Sequence, residues 1–77
     1  MNVTVYSTRS CPWCTRVKDY LKVNDINFKE INVAEDRAGA MEMIRKSGQM
    51  GVPVLDLNGI IVVGFDKEKI DNVLNLY

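Results

Sequence analysis

The chain's two cysteines stand three residues apart in Cys11-Pro12-Trp13-Cys14, between a β-rich run, Val3-Thr4-Val5-Tyr6, and a helix-like pattern. That placement constrains the fold more than any other feature. The first backbone N–H groups of a helix have no intrahelical partner, and with the helix dipole they favour a thiolate over a thiol. A sulfur at the helix start is therefore reactive. The second sulfur falls about one turn further in, close enough to close a disulfide with the first. Two cysteines at this spacing on a strand-to-helix junction form a redox arrangement.

The remaining composition narrows the chemistry. A 77-residue chain is expected to be one small domain, with 47% apolar residues to build its core. Ten Lys and Arg balance ten Asp and Glu, which leaves no basic excess to hold a nucleic-acid backbone. The absence of histidine removes imidazole acid–base catalysis and histidine metal ligands, and two cysteines cannot complete a four-cysteine zinc site. No apolar run approaches the roughly 20 residues of a membrane span. Met1-Asn2-Val3-Thr4 reads directly as strand-like sequence without a secretory leader, so a cytoplasmic location is expected, where a lone cysteine pair is catalytic more often than structural.

The elements follow from periodicity. A first strand is expected over residues 2–7, with Thr8 to Ser10 as its exit loop. Pro12 suits the first helical turn, where its missing N–H costs nothing. Trp13, Val17, Tyr20, Leu21 and Asn24 recur at helical spacing, and their apolar members form the inner face of a helix ending near Asn24. Lys18 and Lys22 are expected to face water. Residues 26–33 read as a strand. Ile26 and Phe28 differ in parity from Ile31 and Val33, which suggests a bulge or strand end near Glu30.

Asp36 is a candidate cap for a second helix with Ala38, Met41, Ile44 and Ala40 inside, ended by Ser47-Gly48. Val54 to Leu57 and Ile60 to Val63 flank Asn58-Gly59, a strong hairpin signal. Asp66 then caps a last helix whose stripe is Ile70, Val73, Leu74 and Tyr77. The order β-α-β-α-β-β-α, with a right-handed crossover between the first two strands, gives a four-stranded mixed sheet with helices on both faces. That is an α/β, thioredoxin-like fold.

Along this order, Cys11-Pro12-Trp13-Cys14, Val52-Pro53 and Gly64-Phe65-Asp66 make the chain resemble the glutaredoxins, in particular the small bacterial glutaredoxins and the NrdH-type glutaredoxin-like redoxins. The resemblance runs almost end to end. It implies thiol–disulfide exchange with no bound cofactor, Cys11 as the attacking sulfur and Cys14 as the resolving one. It implies a cis peptide before Pro53, and a Val52 whose backbone meets an extended thiol substrate as an added strand would. It also implies glutathione as co-substrate and reductant, with Gly64, Phe65 and Asp66 at its γ-glutamyl end and Gln49 near its glycyl carboxylate. Disulfide-containing proteins are the other partners implied. A monomer is expected.

Several residues depart from the glutaredoxin pattern. Gly64-Phe65 stands where a double glycine is usual, Gly51 where a threonine is common, Thr8 and Arg9 where a lysine is common, and Trp13 where tyrosine is usual. The Gly-Phe pair is closer to the NrdH-type redoxins. It supports an alternative in which thioredoxin reductase supplies the electrons and ribonucleotide reductase receives them. Arg9 and Arg16 read either as solvated charges or as partners of the thiolate and of a glutathione carboxylate. Trp13 reads either as a core residue or as a docking aromatic beside the sulfur. Asp66 is a helix cap that can also meet an α-amino group. A cluster carrier built on Cys11 is the competing metal reading, and Pro12 argues against it by resemblance.

Overall fold

The computed structural model describes residues 2–76. Strands β1 (Val3–Ser7), β2 (Lys29–Asn32), β3 (Val54–Leu57) and β4 (Ile60–Val63) form one sheet in the order β2-β1-β3-β4. β1 runs parallel to β2, with Tyr6 opposite Ile31, and antiparallel to β3, with Val5 opposite Leu55. β3 and β4 form the antiparallel hairpin, closed by Asn58 and Gly59. Both turn residues have positive φ, 54° and 101°, as an Asn-Gly hairpin turn requires. The helices are α1 (Pro12–Val23), α2 (Arg37–Ser47) and α3 (Lys67–Leu74). None is long and apolar enough to cross a membrane among the described residues.

Successive side chains of a strand point to opposite faces, so each strand feeds two cores. Val3, Val5, Leu55, Leu57 and Val62 pack with Val17 and Leu21 of α1 and with Ile70 and Leu74 of α3. Tyr6 and Val54 pack on the other face with Met43 of α2. Burying a side chain of this size contributes roughly 1.5–3 kcal/mol, which is how so short a chain holds a sheet between two helical layers.

The same alternation explains the parity change before the second helix. Ile26 and Phe28 pack into the α1–α3 core, whereas Ile31 and Val33 pack into the α2 core. The segment serves both faces in turn, and the paired strand is only Lys29–Asn32, shorter than the expected 26–33.

The inner face of α2 is also rotated from the expected one. Met41 is 62% exposed and Ala38 is exposed, while Gly39 and Met43 are buried and Ala40 and Ile44 flank them. Gly39 sets this rotation: a Cβ there would overlap Cγ2 of Ile31, so the helix backbone lies directly on β2. In α1 the buried stripe is Cys14, Val17 and Leu21, and Trp13 lies outside it. α3 closes at Asn75, which is left-handed with φ 57°. Tyr77, expected on the α3 stripe, lies outside the described residues.

Candidate active site

Cys11 occupies the N-cap of α1 in extended backbone, and its Sγ accepts the backbone N–H of Cys14 at 3.1 Å. Pro12 opens the helix, where the ring's fixed φ fits and its missing donor is not needed. No acidic residue lies in the first turn, so nothing offsets the positive end of the helix dipole beside the sulfur. Cys11 and Cys14 are joined by a disulfide, with Cα atoms 5.2 Å apart. Cys11 is partly exposed and Cys14 is fully buried, an asymmetry that gives an incoming thiol or disulfide access to the first sulfur and not the second.

Beside the disulfide runs a groove of about 270 Å³ lined by Trp13, Val52, Pro53, Gly64 and Phe65. The Val52–Pro53 peptide is cis, and Pro53 is buried with its carbonyl accepting the Gly64 N–H at 2.8 Å. Among the described residues the N–H and C=O of Val52 take part in no hydrogen bond, which leaves one edge of backbone open at the groove. Gly64 holds a φ of 78°, a conformation that a side chain would strain. Phe65 is set by Tyr20 of α1, whose ring centroid lies 5.5 Å from its own. Trp13 is 54% exposed at the mouth, and the Arg16 guanidinium stacks 4.6 Å above its ring. Of the two readings of Trp13, the core reading is therefore corrected: its neighbour Cys14 takes the inward position.

Two expected site residues are engaged elsewhere. Arg9 pairs with Glu35 at 3.2 Å, on a polar recess shared with Thr15, Lys18 and Asn32. The Gln49 amide closes its own loop: it donates to the Gly51 carbonyl at 3.0 Å and accepts the Gly51 N–H at 2.6 Å. Asp66 lies one residue past the groove and caps α3, accepting the Lys69 N–H at 3.2 Å.

Three polar clusters were not foreseen from the sequence. Glu30 Oε2 accepts the Ser7 hydroxyl at 2.7 Å and Lys18 Nζ at 2.6 Å. The Lys18 bond, and then that of Ser7, holds the Glu30 carboxyl below its ordinary range. Lys46 of α2 reaches Asp56 at 2.7 Å, the Tyr6 hydroxyl at 3.0 Å and Glu42 at 3.0 Å. Asp56 raises the Lys46 ammonium and is itself lowered by it. Tyr20 donates its hydroxyl to Asp71, which also holds Lys67 at 2.8 Å. Only the local pairs, Glu42–Lys46 and Lys67–Asp71, carry a sequence signal, the four-residue helical spacing. The long-range partners share no pattern that a single sequence reveals.

Residues 3–62 match the family model for Glutaredoxin. A glutaredoxin-like 8.6 kDa protein in the rubredoxin operon of Clostridium pasteurianum is 46% identical over 72 residues, which is 94% of this chain and 96% of that protein. Glutaredoxin 3 of Escherichia coli is 32% identical over 84% of this chain and 78% of its own length. The glutaredoxin-like protein NrdH of Lactococcus lactis subsp. cremoris is 33% identical over 82% of this chain and 86% of its own length. Among solved structures, a point variant of the thioredoxin-like protein BC3987 superposes with a TM-score of 0.93 at 30% identity, covering 99% of this chain and 97% of the other.

Proposed function

The chain belongs to the glutaredoxin family of thiol–disulfide oxidoreductases, and from that premise we propose that it reduces protein disulfides by a dithiol cycle fed by a reductase of the thioredoxin reductase type. The observation that carries the choice of reductant is the character of the groove. Its lining is Trp13, Val52, Pro53, Gly64 and Phe65, with no cation among them. Arg9, in an exposed pair with Glu35, and Gln49, bonded to Gly51, were expected to meet glutathione carboxylates and are not part of that lining. An apolar groove with an open backbone edge suits an extended protein segment around a cysteine, bound as an added strand.

In this cycle the reduced Cys11 attacks as a thiolate. A free cysteine has a pKa of about 8.5, and each unit of lowering needs about 1.4 kcal/mol of preference for the charged form. The helix start and the Cys14 N–H supply that preference. Attack breaks the substrate S–S bond, joins Cys11 to one substrate sulfur and releases the other as a thiolate. Cys14 then attacks Sγ of Cys11, closes the internal disulfide and frees the second substrate sulfur. The reductase restores both thiols. The electrons stay on sulfur throughout, and glutaredoxins need no prosthetic group. The lone redox pair suits the reducing cytoplasm. The likeness to NrdH makes ribonucleotide reductase the electron acceptor to try first.

Glutathione as reductant is the second reading, favoured by the turn at Gly64 and the cap at Asp66. These bring the open first-turn N–H groups of α3 to the groove end, where a γ-glutamyl carboxylate can be received. NADPH oxidation coupled to a disulfide substrate separates the two. Turnover with thioredoxin reductase and little with glutathione plus glutathione reductase is expected; the reverse pattern overturns the choice of reductant.

A further inference from the structure

Lys18 follows Cys14 by one helical turn, so the two project from the same side of α1. Cys14 is fully buried, and the Lys18 side chain is only 22% exposed, although lysine heads normally stand in water. Lys18 is held there by Glu30 of β2, which also takes the hydroxyl of Ser7. Ser7 ends β1 and is itself buried. A cation, a carboxylate and a hydroxyl therefore meet between α1 and the β1–β2 edge, one helical turn along α1 from Cys14, with the Glu30 side chain 43% exposed. The rest of that interface is Val17, Leu21, Val3 and Val5.

We propose that the Lys18–Glu30 pair tunes the ionisation of Cys14, and so sets the pH range in which the mixed disulfide on Cys11 is resolved. The inference rests on the reading of Cys14 as the resolving thiol. Resolution joins the sulfurs of Cys11 and Cys14 and breaks the bond from Cys11 to the substrate sulfur. The Cys14 proton leaves, and the departing substrate thiolate takes up one in its place. Before attack, Cys14 must carry charge at a position with no solvent exposure, where burial raises a thiol pKa. Lys18 favours that charge and Glu30 opposes it, and their contact holds the balance.

Of the other charged groups around this end, Lys22 also bears on Glu30 and stays in place in every variant. Arg9 is tied to Glu35 and Lys67 to Asp71. Arg16 lies over Trp13, Asp66 caps α3, and Asp19 and Lys22 are exposed. The helix dipole is the same in every variant.

Opposite signs distinguish tuning from packing. Lys18→Met leaves the Glu30 carboxylate without its cation and moves resolution to higher pH. Glu30→Gln leaves an ammonium and moves it to lower pH. A partly screened charge at this range shifts a titration by about half to one pH unit. The double variant returns close to the native profile, and Lys18→Arg, which keeps the charge, stays on it.

The test uses the reduced, full chain and the aromatic disulfide 5,5′-dithiobis(2-nitrobenzoate), followed by stopped-flow absorbance from about pH 5 to about pH 9. The first thionitrobenzoate released reports attack by Cys11, and the second reports resolution by Cys14. Shifts of the second phase in opposite directions for Lys18→Met and Glu30→Gln are expected. Shifts in the same direction, or none, overturn the proposal. Release of a single thionitrobenzoate by the native chain overturns the reading of Cys14 on which the proposal rests, and that result is distinct from an unmoved pH profile. If one single variant does not fold, the remaining variant and Lys18→Arg decide by whether loss of charge alone moves the phase.

Discussion

The sulfur of Cys11 accepts the backbone N–H of Cys14 at 3.1 Å, so the sulfur proposed to attack also caps α1. Serine caps a helix as well as any residue, and alanine does not. In the reduced proteins, Cys11→Ser should therefore keep its stability while losing all turnover. Cys11→Ala should lose turnover and also about 1 kcal/mol of stability, or roughly 4–8 °C in melting temperature. Thermal unfolding under reducing conditions, alongside the coupled assay, checks both outcomes.

Trp13 stands 54% exposed at the mouth of the groove, so truncating it removes the proposed docking surface and little core. Trp13→Ala should lower kcat/KM for a protein disulfide about tenfold, equivalent to about 1.4 kcal/mol, and hardly change the melting temperature. A variant with unaltered kcat/KM would place the docking surface elsewhere.

Lys46 and Asp56 stabilise each other beneath α2, with side chains 29% and 17% exposed. Asp56 is lowered by Lys46, so its contribution is present above the ordinary carboxylate range and is lost as pH falls through its depressed folded value. Lys46 is raised, first by Asp56, so its contribution is whole below the ordinary lysine value and is lost only as pH rises past it. Stability should thus be flat through neutrality and fall in acid below about pH 4. Lys46→Met should cost about 2 kcal/mol at pH 7 and flatten the acid limb, as denaturant unfolding at several pH values would reveal.

Gly39 lies against β2 so closely that a Cβ would overlap Cγ2 of Ile31. Gly39→Ala, a change that favours an isolated helix, should here cost about 1–3 kcal/mol by pushing α2 off the sheet. Chemical denaturation of the variant measures it. A stabilised variant would mean that the helix shifts freely.

The position of each element was legible because its signals are local. Asn58-Gly59 between two β-branched runs fixes the hairpin, and Pro12 and Asp66 mark helix starts. The disulfide pair was legible for the same reason, since both cysteines stand at one helix start. The α2 face was not, because Gly39 is inside for want of a side chain, and apolar periodicity counts only side chains that are present. Ile26 to Val33 misled in a related way: one segment feeds two cores, and its alternation breaks where residues 26–28 give way to the paired strand Lys29–Asn32. Gln49 and Arg9 were read by position along the chain, and their partners, Gly51 and Glu35, were decided by loop geometry.

Trapping the mixed disulfide tests the division of labour between the two sulfurs most directly. Cys14→Ser, mixed with a protein disulfide and mapped by mass spectrometry without reductant, should hold one covalent adduct on Cys11. Cys11→Ser should form none on Cys14, which is shielded from solvent. An adduct on Cys14 at a comparable rate, or no adduct on Cys11, would contradict the assignment of Cys11 as nucleophile and Cys14 as resolving thiol.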